Sequence, residues 1–313
     1  MNILVTGAAG FIGYHTMLKF VKENYNVTGI DNFNSYYSPE LKRKRIENLP
    51  ANSVYCLDVN NINSEKFDHI DVVVHLAAQA GVRYSLTHPE IYIKDNVSGF
   101  LAILEFCRQN NVRKLIYASS SSVYGNRCVP TKETDPTSNP ISLYATTKKT
   151  NELMAYNYSH LYNLQTIGLR FFTCYGPWGR PDMAMWLFAD AMLQNKKINV
   201  NNYGLMSRDW TYVQDTVEAI YYFATSTTLP PFATIYNVGS GKSVSLMRMI
   251  EKLAQHLETT AKINFMPMQP GDVKQSLADI SLIKKIIPYE PKVCIDAGIK
   301  AFADWFKKEG RFF

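Results

Sequence analysis

Short apolar runs alternate with longer segments of helical period along the first half of the chain. Ile3–Val5, Val27–Ile30, Val72–His75 and Leu115–Ala118 are rich in Val, Ile and Leu, and Val54–Leu57 reads as a further run of this kind. Between them, Ile12–Glu23 and Asn96–Gln109 carry apolar residues three and four apart. Near-continuous apolar strands alternating with amphipathic helices predict a parallel sheet covered on both faces. The expected fold class is α/β with a doubly wound parallel sheet, whose ligands sit at the carboxyl ends of the strands.

The pattern loosens after about Arg170. Pro177, Pro181, Pro230-Pro231, Pro267, Pro270, Pro288 and Pro291 break it into short elements. This predicts a nucleotide-binding domain over 1–170 and a smaller substrate-binding region over 171–313. A return segment near 210–240 rejoins the main sheet around Ile235–Val238. There are no internal repeats and no flexible linker.

The first strand runs into Gly7-Ala8-Ala9-Gly10-Phe11-Ile12-Gly13. Glycines there allow a turn with positive φ, a backbone close to a pyrophosphate, and helix packed on strand. The following helix N-terminus offers free N–H groups and a favourable dipole to a diphosphate. The spacing is Gly-x-x-Gly-x-x-Gly rather than Gly-x-Gly-x-x-Gly, and an ordinary strand–helix turn reads similarly. Position favours a dinucleotide. Asp31 falls at the end of the second strand, where a carboxylate accepts bonds from a ribose 2′-OH and repels a 2′-phosphate. NAD is therefore expected over NADP. Asp58 and Val59, after the third strand, suit the adenine edge. Leu76, Ala77 and Ala78 end the fourth strand with side chains that admit a cofactor.

Tyr144 and Lys148 form Tyr-x-x-x-Lys, and no other of the 20 tyrosines has a lysine four residues on. On a helix both side chains share one face. An ammonium beside a phenol favours the phenolate and makes it a usable base near neutral pH. Ser119–Ser122 follow the strand Leu115–Ala118, so hydroxyls stand where cofactor and substrate should meet.

Composition narrows the rest. Of 313 residues, 46% are hydrophobic, enough for a sizeable core and against disorder as the main state. The net charge of +6 suits an anionic small molecule. Lys42-Arg43-Lys44-Arg45 is the densest basic run; alone it reads as a solvated helix face rather than a nucleic-acid patch. Five widely spaced cysteines without Cys-x-x-Cys argue for a reduced compartment, and no metal is expected. No apolar run reaches the roughly 18 residues of a membrane span. The opening Asn-Ile-Leu-Val-Thr-Gly reads as a strand rather than a signal peptide, so cytoplasm is the expectation.

These elements resemble the extended short-chain dehydrogenase/reductase family, and within it the nucleotide-sugar epimerases. The resemblance spans essentially the whole chain. It sharpens at His75–Ser85, Tyr117–Gly125, Arg170–Ala184 and Met266–Val273, where the sequence looks like that of UDP-glucuronate 4-epimerases. Such enzymes have a Rossmann-like fold and hold NAD tightly. They oxidise C4 of the sugar, turn the 4-keto sugar over, and return the hydride. By resemblance, Tyr144 takes the 4-OH proton with Ser120 in the relay and Lys148 in support. Asn32 and Asn96 join Gly7, Gly10, Phe11, Ile12 and Gly13 around the cofactor. Ser121, Ser122, Thr173 and Arg180 are candidates for the uronate carboxylate, Arg208 for the diphosphate, and Gln269 and Asp272 for the diphosphate and uridine ribose. Arg83 is a further candidate for the phosphates.

Related 4,6-dehydratases carry Thr-Asp-Glu before Val-Tyr-Gly, and UDP-glucuronate decarboxylases often carry Glu just before that Val. Here those positions are the neutral Ser121 and Ser122. Dehydration lacks its acid–base pair, and the decarboxylase reading is weakened. A UDP-glucose/UDP-galactose 4-epimerase remains open, as does a non-catalytic dinucleotide sensor. Members of the family are frequently homodimers, through the segments Asn96–Gln109 and Tyr144–Ser159 here. No nucleic-acid or membrane partner is expected.

Overall fold

The computed structural model describes residues 1–230 and 232–313. Pro231, one of the prolines that interrupt the pattern, lies outside the described residues. The strands in chain order are β1 (Asn2–Thr6), β2 (Asn26–Asp31), β3 (Val54–Cys56), β4 (Val72–His75), β5 (Lys114–Ser120), β6 (Gln165–Phe171), β7 (Thr173–Tyr175), β8 (Lys197–Val200), β9 (Ser207–Tyr212), β10 (Thr234–Val238), β11 (Ser243–Ser245) and β12 (Lys262–Phe265).

Seven of them form one sheet in the order β10-β6-β5-β4-β1-β2-β3. Every pairing in it is parallel. The order reverses between β1 and β4, so the crevice for a ligand opens there, at the strands' carboxyl ends. The expected strands all appear within a residue or two, and the chain rejoins the sheet at β10, as Ile235–Val238 predicts.

Alternation along each strand shows why the sheet is buried twice over. Ile3, Val5, Val72, Val74 and Ile116 pack on one face with Met17, Phe20, Ile220 and Phe223. Leu4, Val73, Leu115 and Tyr117 pack on the other with Phe100, Ile103, Leu104 and Ala155. The helices Phe11–Lys22 and Val213–Thr225 thus cover one side, and Gly99–Gln109 and Leu143–Tyr162 the other. Lys114 ties the Val213–Thr225 helix down by donating to the carbonyls of Phe223, Ala224 and Ser226.

Two features differ from the pattern reading. Strand β6 is hidden in the sequence because Gly168 and Arg170 interrupt its apolar run. A side chain at Gly168 would strike the Tyr117 hydroxyl, and Arg170 is buried against Glu152. The segment expected as one helix from Asn96 begins instead as a π-helical turn over Ile93–Ser98. That turn aims Asn96 at the backbone of Gln79, donating to its carbonyl at 3.0 Å and accepting from its N–H at 2.7 Å.

Beyond β6 lie two small sheets, β11-β9-β7 and β12-β8. The first sits beside the carboxyl end of the main sheet through Thr173–Tyr175, which follows β6 almost directly. Among the described residues no helix is long and apolar enough to cross a membrane.

Candidate active site

The turn after β1 is shaped by its glycines. Gly7 stands at φ +68°, and a Cβ there would lie 2.7 Å from the Ala77 nitrogen. A Cβ on Gly13 would lie 2.0 Å from the Gly7 carbonyl oxygen. The loop can therefore press on the end of β4 and start the Phe11–Lys22 helix only with hydrogen at these positions. That helix begins without a side-chain cap and without an acidic residue in its first turn. Its N–H groups and dipole are left to an anion, which fits a dinucleotide diphosphate.

Asp31 is buried at the end of β2. Its carboxylate accepts from the N–H of Ala9 at 3.1 Å and of Phe33 at 2.8 Å. Burial raises its pKa, against the pull of Lys42. Asp58 accepts from Asn32 Nδ2 at 3.0 Å and caps the turn that follows it through the Asn60 N–H. These groups, with Val59 and Leu76–Ala78, line a cavity of about 330 Å³ that also reaches Ser120–Ser122, Tyr144, Lys148, Thr173 and Arg180. This size is ordinary for a small-molecule site. Asn96 does not line it; it sits behind, fixing Gln79, which does.

The basic run is not a solvated face. Arg43 and Lys44 are exposed, but Lys42 is 4% exposed and Arg45 is fully buried. Arg45 donates to the carbonyls of Ala9, Trp178 and Gly179, joining the glycine loop to the segment before Arg180. Lys42 lines the cavity beside Asp31, with its Nζ on the Asn34 carbonyl and side chain at 2.8 Å. A period-four reading of the Pro39–Ile46 helix, with Leu41 and Arg45 on one face, is the signal that would have separated buried from exposed charges.

The four serines divide their work. Ser119 donates to Glu152 at 2.7 Å, inside a buried network that includes Arg170, Tyr124 and Asn237. Ser120 caps the turn Ser121–Tyr124 by accepting from the Ser122 N–H, and its hydroxyl also meets Tyr144. Ser121 and Ser122 point to the cavity.

Tyr144 lies in the first turn of the helix Leu143–Tyr162, which Ser142 caps through the Ala145 N–H. Burial raises the phenol pKa, and the Ser120 hydroxyl and the Arg180 cation pull it back down. Lys148 stands 6.0 Å from the ring centroid and donates its Nζ to the Ala118 carbonyl at 2.8 Å. Burial lowers its pKa to about 8. Arg180 thus favours the phenolate and Asp182 opposes it, while Lys148 keeps its charge near the ring with its Nζ held at the strand end.

A second cavity of about 150 Å³ opens next to the first and shares Ser121, Ser122, Phe172 and Thr173 with it. Arg208 and Asp272 line its far side. Arg208 donates to the carbonyls of Ser207 and Lys274, so no carboxylate among its hydrogen-bond partners cancels its charge. Burial lowers its pKa, opposed by Asp272. Arg83 pairs with Asp272 at 2.9 Å. Arg83 and Gln269 do not line either cavity.

A crevice lined by the glycine loop and Asp31, a Tyr–Lys pair and an arginine-lined side cavity thus meet at one wall. The sequence matches the NAD dependent epimerase/dehydratase family over residues 3–239. It is 50% identical to an uncharacterized protein of Methanocaldococcus jannaschii, with 97% of this chain and 96% of that one covered. It is 39% identical to UDP-glucuronate 4-epimerase 4 of Arabidopsis thaliana, with 98% of this chain and 75% of that one covered. Among solved structures, the UDP-glucuronic acid 4-epimerase from Bacillus cereus in complex with UDP-glucuronic acid and NAD is similar at a TM-score of 0.92 and 33% identity, covering 98% of this chain and 99% of that one. By fold, site and sequence together, the chain belongs to the NAD dependent epimerase/dehydratase family.

Proposed function

We propose that the chain is an NAD-dependent UDP-glucuronate 4-epimerase, interconverting UDP-glucuronate and UDP-galacturonate through a 4-keto sugar. The observation that carries this reading is the shared wall. Ser121, Ser122 and Thr173 border both cavities, beside Tyr144 and Arg180. A sugar seated there has its C4 near the phenol and its nucleotide toward Arg208.

In the larger cavity we assign the glycine loop, Asp31, Asn32, Asp58, Val59 and Leu76–Ala78 to NAD, with Asn96 in support. When bound there, NAD supplies the hydride acceptor for C4 and later gives the same hydride back. Tyr144 takes the 4-OH proton as the ketone forms and returns it afterwards, with Ser120 holding the proton path short. Lys148 anchors the strand end and adds positive charge within reach of the phenolate. Arg180, Ser121, Ser122 and Thr173 hold the carboxylate, since hydroxyl donors and a guanidinium fork match its oxygens. Arg208 balances the diphosphate. Asp272 takes the ribose side, with Arg83 latched to it, and Gln269 flanks the nucleotide end.

The proposed division of labour follows. Residues 1–170 with the return at 210–240 hold the dinucleotide, and 171–313 hold the UDP-sugar. The helices Gly99–Gln109 and Leu143–Tyr162 expose Leu101, Leu153, Tyr156 and Leu161. These apolar side chains support a homodimer through both helices, which sedimentation of a monomer would refute. Five free thiols suit a reducing, cytoplasmic setting.

A second reading draws on one observation. Arg180 already pairs with Asp182 at 2.7 Å, which a neutral UDP-hexose site would tolerate. Comparing turnover of UDP-glucuronate and UDP-glucose by the purified protein separates the two. The uronate must be the preferred substrate by kcat/KM; preference for the neutral sugar overturns the proposal. Denaturing the same protein should release NAD.

A further inference from the structure

Arg180 presents five N–H donors in one fixed plane. The protein itself occupies one edge of it: Nε and Nη2 donate to the two carboxylate oxygens of Asp182 at 2.9 and 2.7 Å. Among the described residues, Nη1 has no hydrogen-bond partner. Tyr36, on the loop after β2, donates its hydroxyl to the same Asp182 at 3.1 Å. Arg180 and Tyr36 line the main cavity, whereas Asp182 stands behind them. Asp182 thus hydrogen-bonds to the site through these two side chains, and its charge also reaches the Tyr144 phenol, where it opposes the phenolate.

The charges are matched as closely as the geometry. Burial opposes the Arg180 cation, and Asp182 more than offsets this, so the guanidinium pKa is raised. Burial likewise opposes the Asp182 carboxylate, and Arg180 and Tyr36 offset that. The pair is close to neutral, with the Nη1–Nη2 edge left for an incoming carboxylate.

We propose that Asp182 is a positioning residue that limits how tightly Arg180 grips the substrate carboxylate. This rests on the uronate reading above. An epimerase must turn its 4-keto sugar over between the two hydride steps. Binding energy that holds the ground state and is lost during the turn lowers KM and kcat together. A guanidinium without Asp182 would hold the uronate by a full charge pair and resist the turn. With Asp182 sharing it, the contact is closer to a hydrogen bond, strong enough to orient and weak enough to release. Tyr36 adjusts the sharing from the other side, because its hydroxyl draws charge from Asp182.

The test is steady-state kinetics with UDP-glucuronate on two variants of the NAD-loaded enzyme. Asp182→Asn removes the shared charge and should lower KM and kcat together, each by roughly 3- to 10-fold. Tyr36→Phe leaves Asp182 more strongly on Arg180 and should raise both. A purely structural Asp182 would raise KM on removal, as loss of Arg180 would; that result overturns the proposal. Unchanged constants in Asp182→Asn, or both variants shifting KM the same way, also overturn it. Should Asp182→Asn fail to fold, Tyr36→Phe decides alone, and a KM unchanged or lowered there refutes the inference. Wild-type enzyme inactive on UDP-glucuronate would instead mark failure of the uronate reading itself.

Discussion

Arg170 donates to both carboxylate oxygens of Glu152, from Nε at 2.8 Å and from Nη2 at 2.9 Å, with both side chains almost wholly out of solvent. The pair locks the middle of the Leu143–Tyr162 helix onto the end of β6. Ser119 and Tyr124 add bonds to it from β5 and the turn beyond. The helix that carries Tyr144 and the serine turn are therefore braced by one buried network. Removing one partner leaves the other charged, buried and unpaired, which typically costs about 3–5 kcal/mol. Glu152→Ala should lower unfolding stability by that amount in urea titration. A loss below about 1 kcal/mol, the usual worth of an exposed pair, would show that the network does not brace the site.

Tyr144→Phe removes one oxygen from the site and keeps the ring. Proton transfer by a positioned side chain contributes about 10²–10⁴-fold to rate. Turnover of UDP-glucuronate should fall within that range, while the NAD released on denaturation stays equal to wild type. A rate near wild type would remove Tyr144 from the mechanism.

Arg180→Ala takes away the guanidinium fork. Hydrogen bonds to charged groups are worth about 1.5–3 kcal/mol, so kcat/KM for UDP-glucuronate should fall about 10- to 100-fold. Turnover of a neutral UDP-hexose should fall by less. Equal losses on both substrates would make Arg180 a structural residue.

Lys148 sets an alkaline limit. Burial lowers its pKa to about 8, so the cation is present below that pH and is lost as pH rises through it. In the proposed mechanism its charge supports the phenolate, so kcat should decline through about pH 8. A folded pKa below the unfolded one also means that the native state sheds this proton first. The Lys148 contribution to stability therefore rises with pH from about 8 to the ordinary lysine value, so a falling kcat in that window is not unfolding. A flat kcat from pH 7 to 10 would contradict the role.

Gly13→Ala tests the cofactor loop. The new Cβ would meet the Gly7 carbonyl oxygen at 2.0 Å, so the turn must open. Purified variant should carry little NAD, measured by absorbance after denaturation. Full retention would mean that the loop does not cradle the diphosphate.

What the sequence made legible follows from how each residue signals. The glycine loop, Asp31 and the serine run announce themselves because they sit at the ends of periodic strands, and Tyr144–Lys148 by its i, i+4 spacing on a helix; the structure brings them to one cavity. Strand β6 stayed hidden because its buried polar residue is satisfied by Glu152, a partner 18 positions away. Lys42 and Arg45 looked solvated for the same reason. Carbonyls brought in by tertiary structure, as far off as Trp178, are what allow Arg45 to be buried. Asp182 and Tyr36 were missed because their meaning lies in a contact spanning 146 positions. The role expected of Lys148 beside the phenol needed the geometry, which places Arg180 among the groups that favour the phenolate.

The central claim is that this site epimerises a uronate at C4 with a cofactor it retains. Proton NMR of the purified protein with UDP-glucuronate and no added NAD tests it most directly. The account predicts UDP-galacturonate appearing until the two uronates reach equilibrium, with no CO2 released. Formation of a UDP-pentose with CO2 would contradict it, and so would an unchanged substrate spectrum after NAD is supplied.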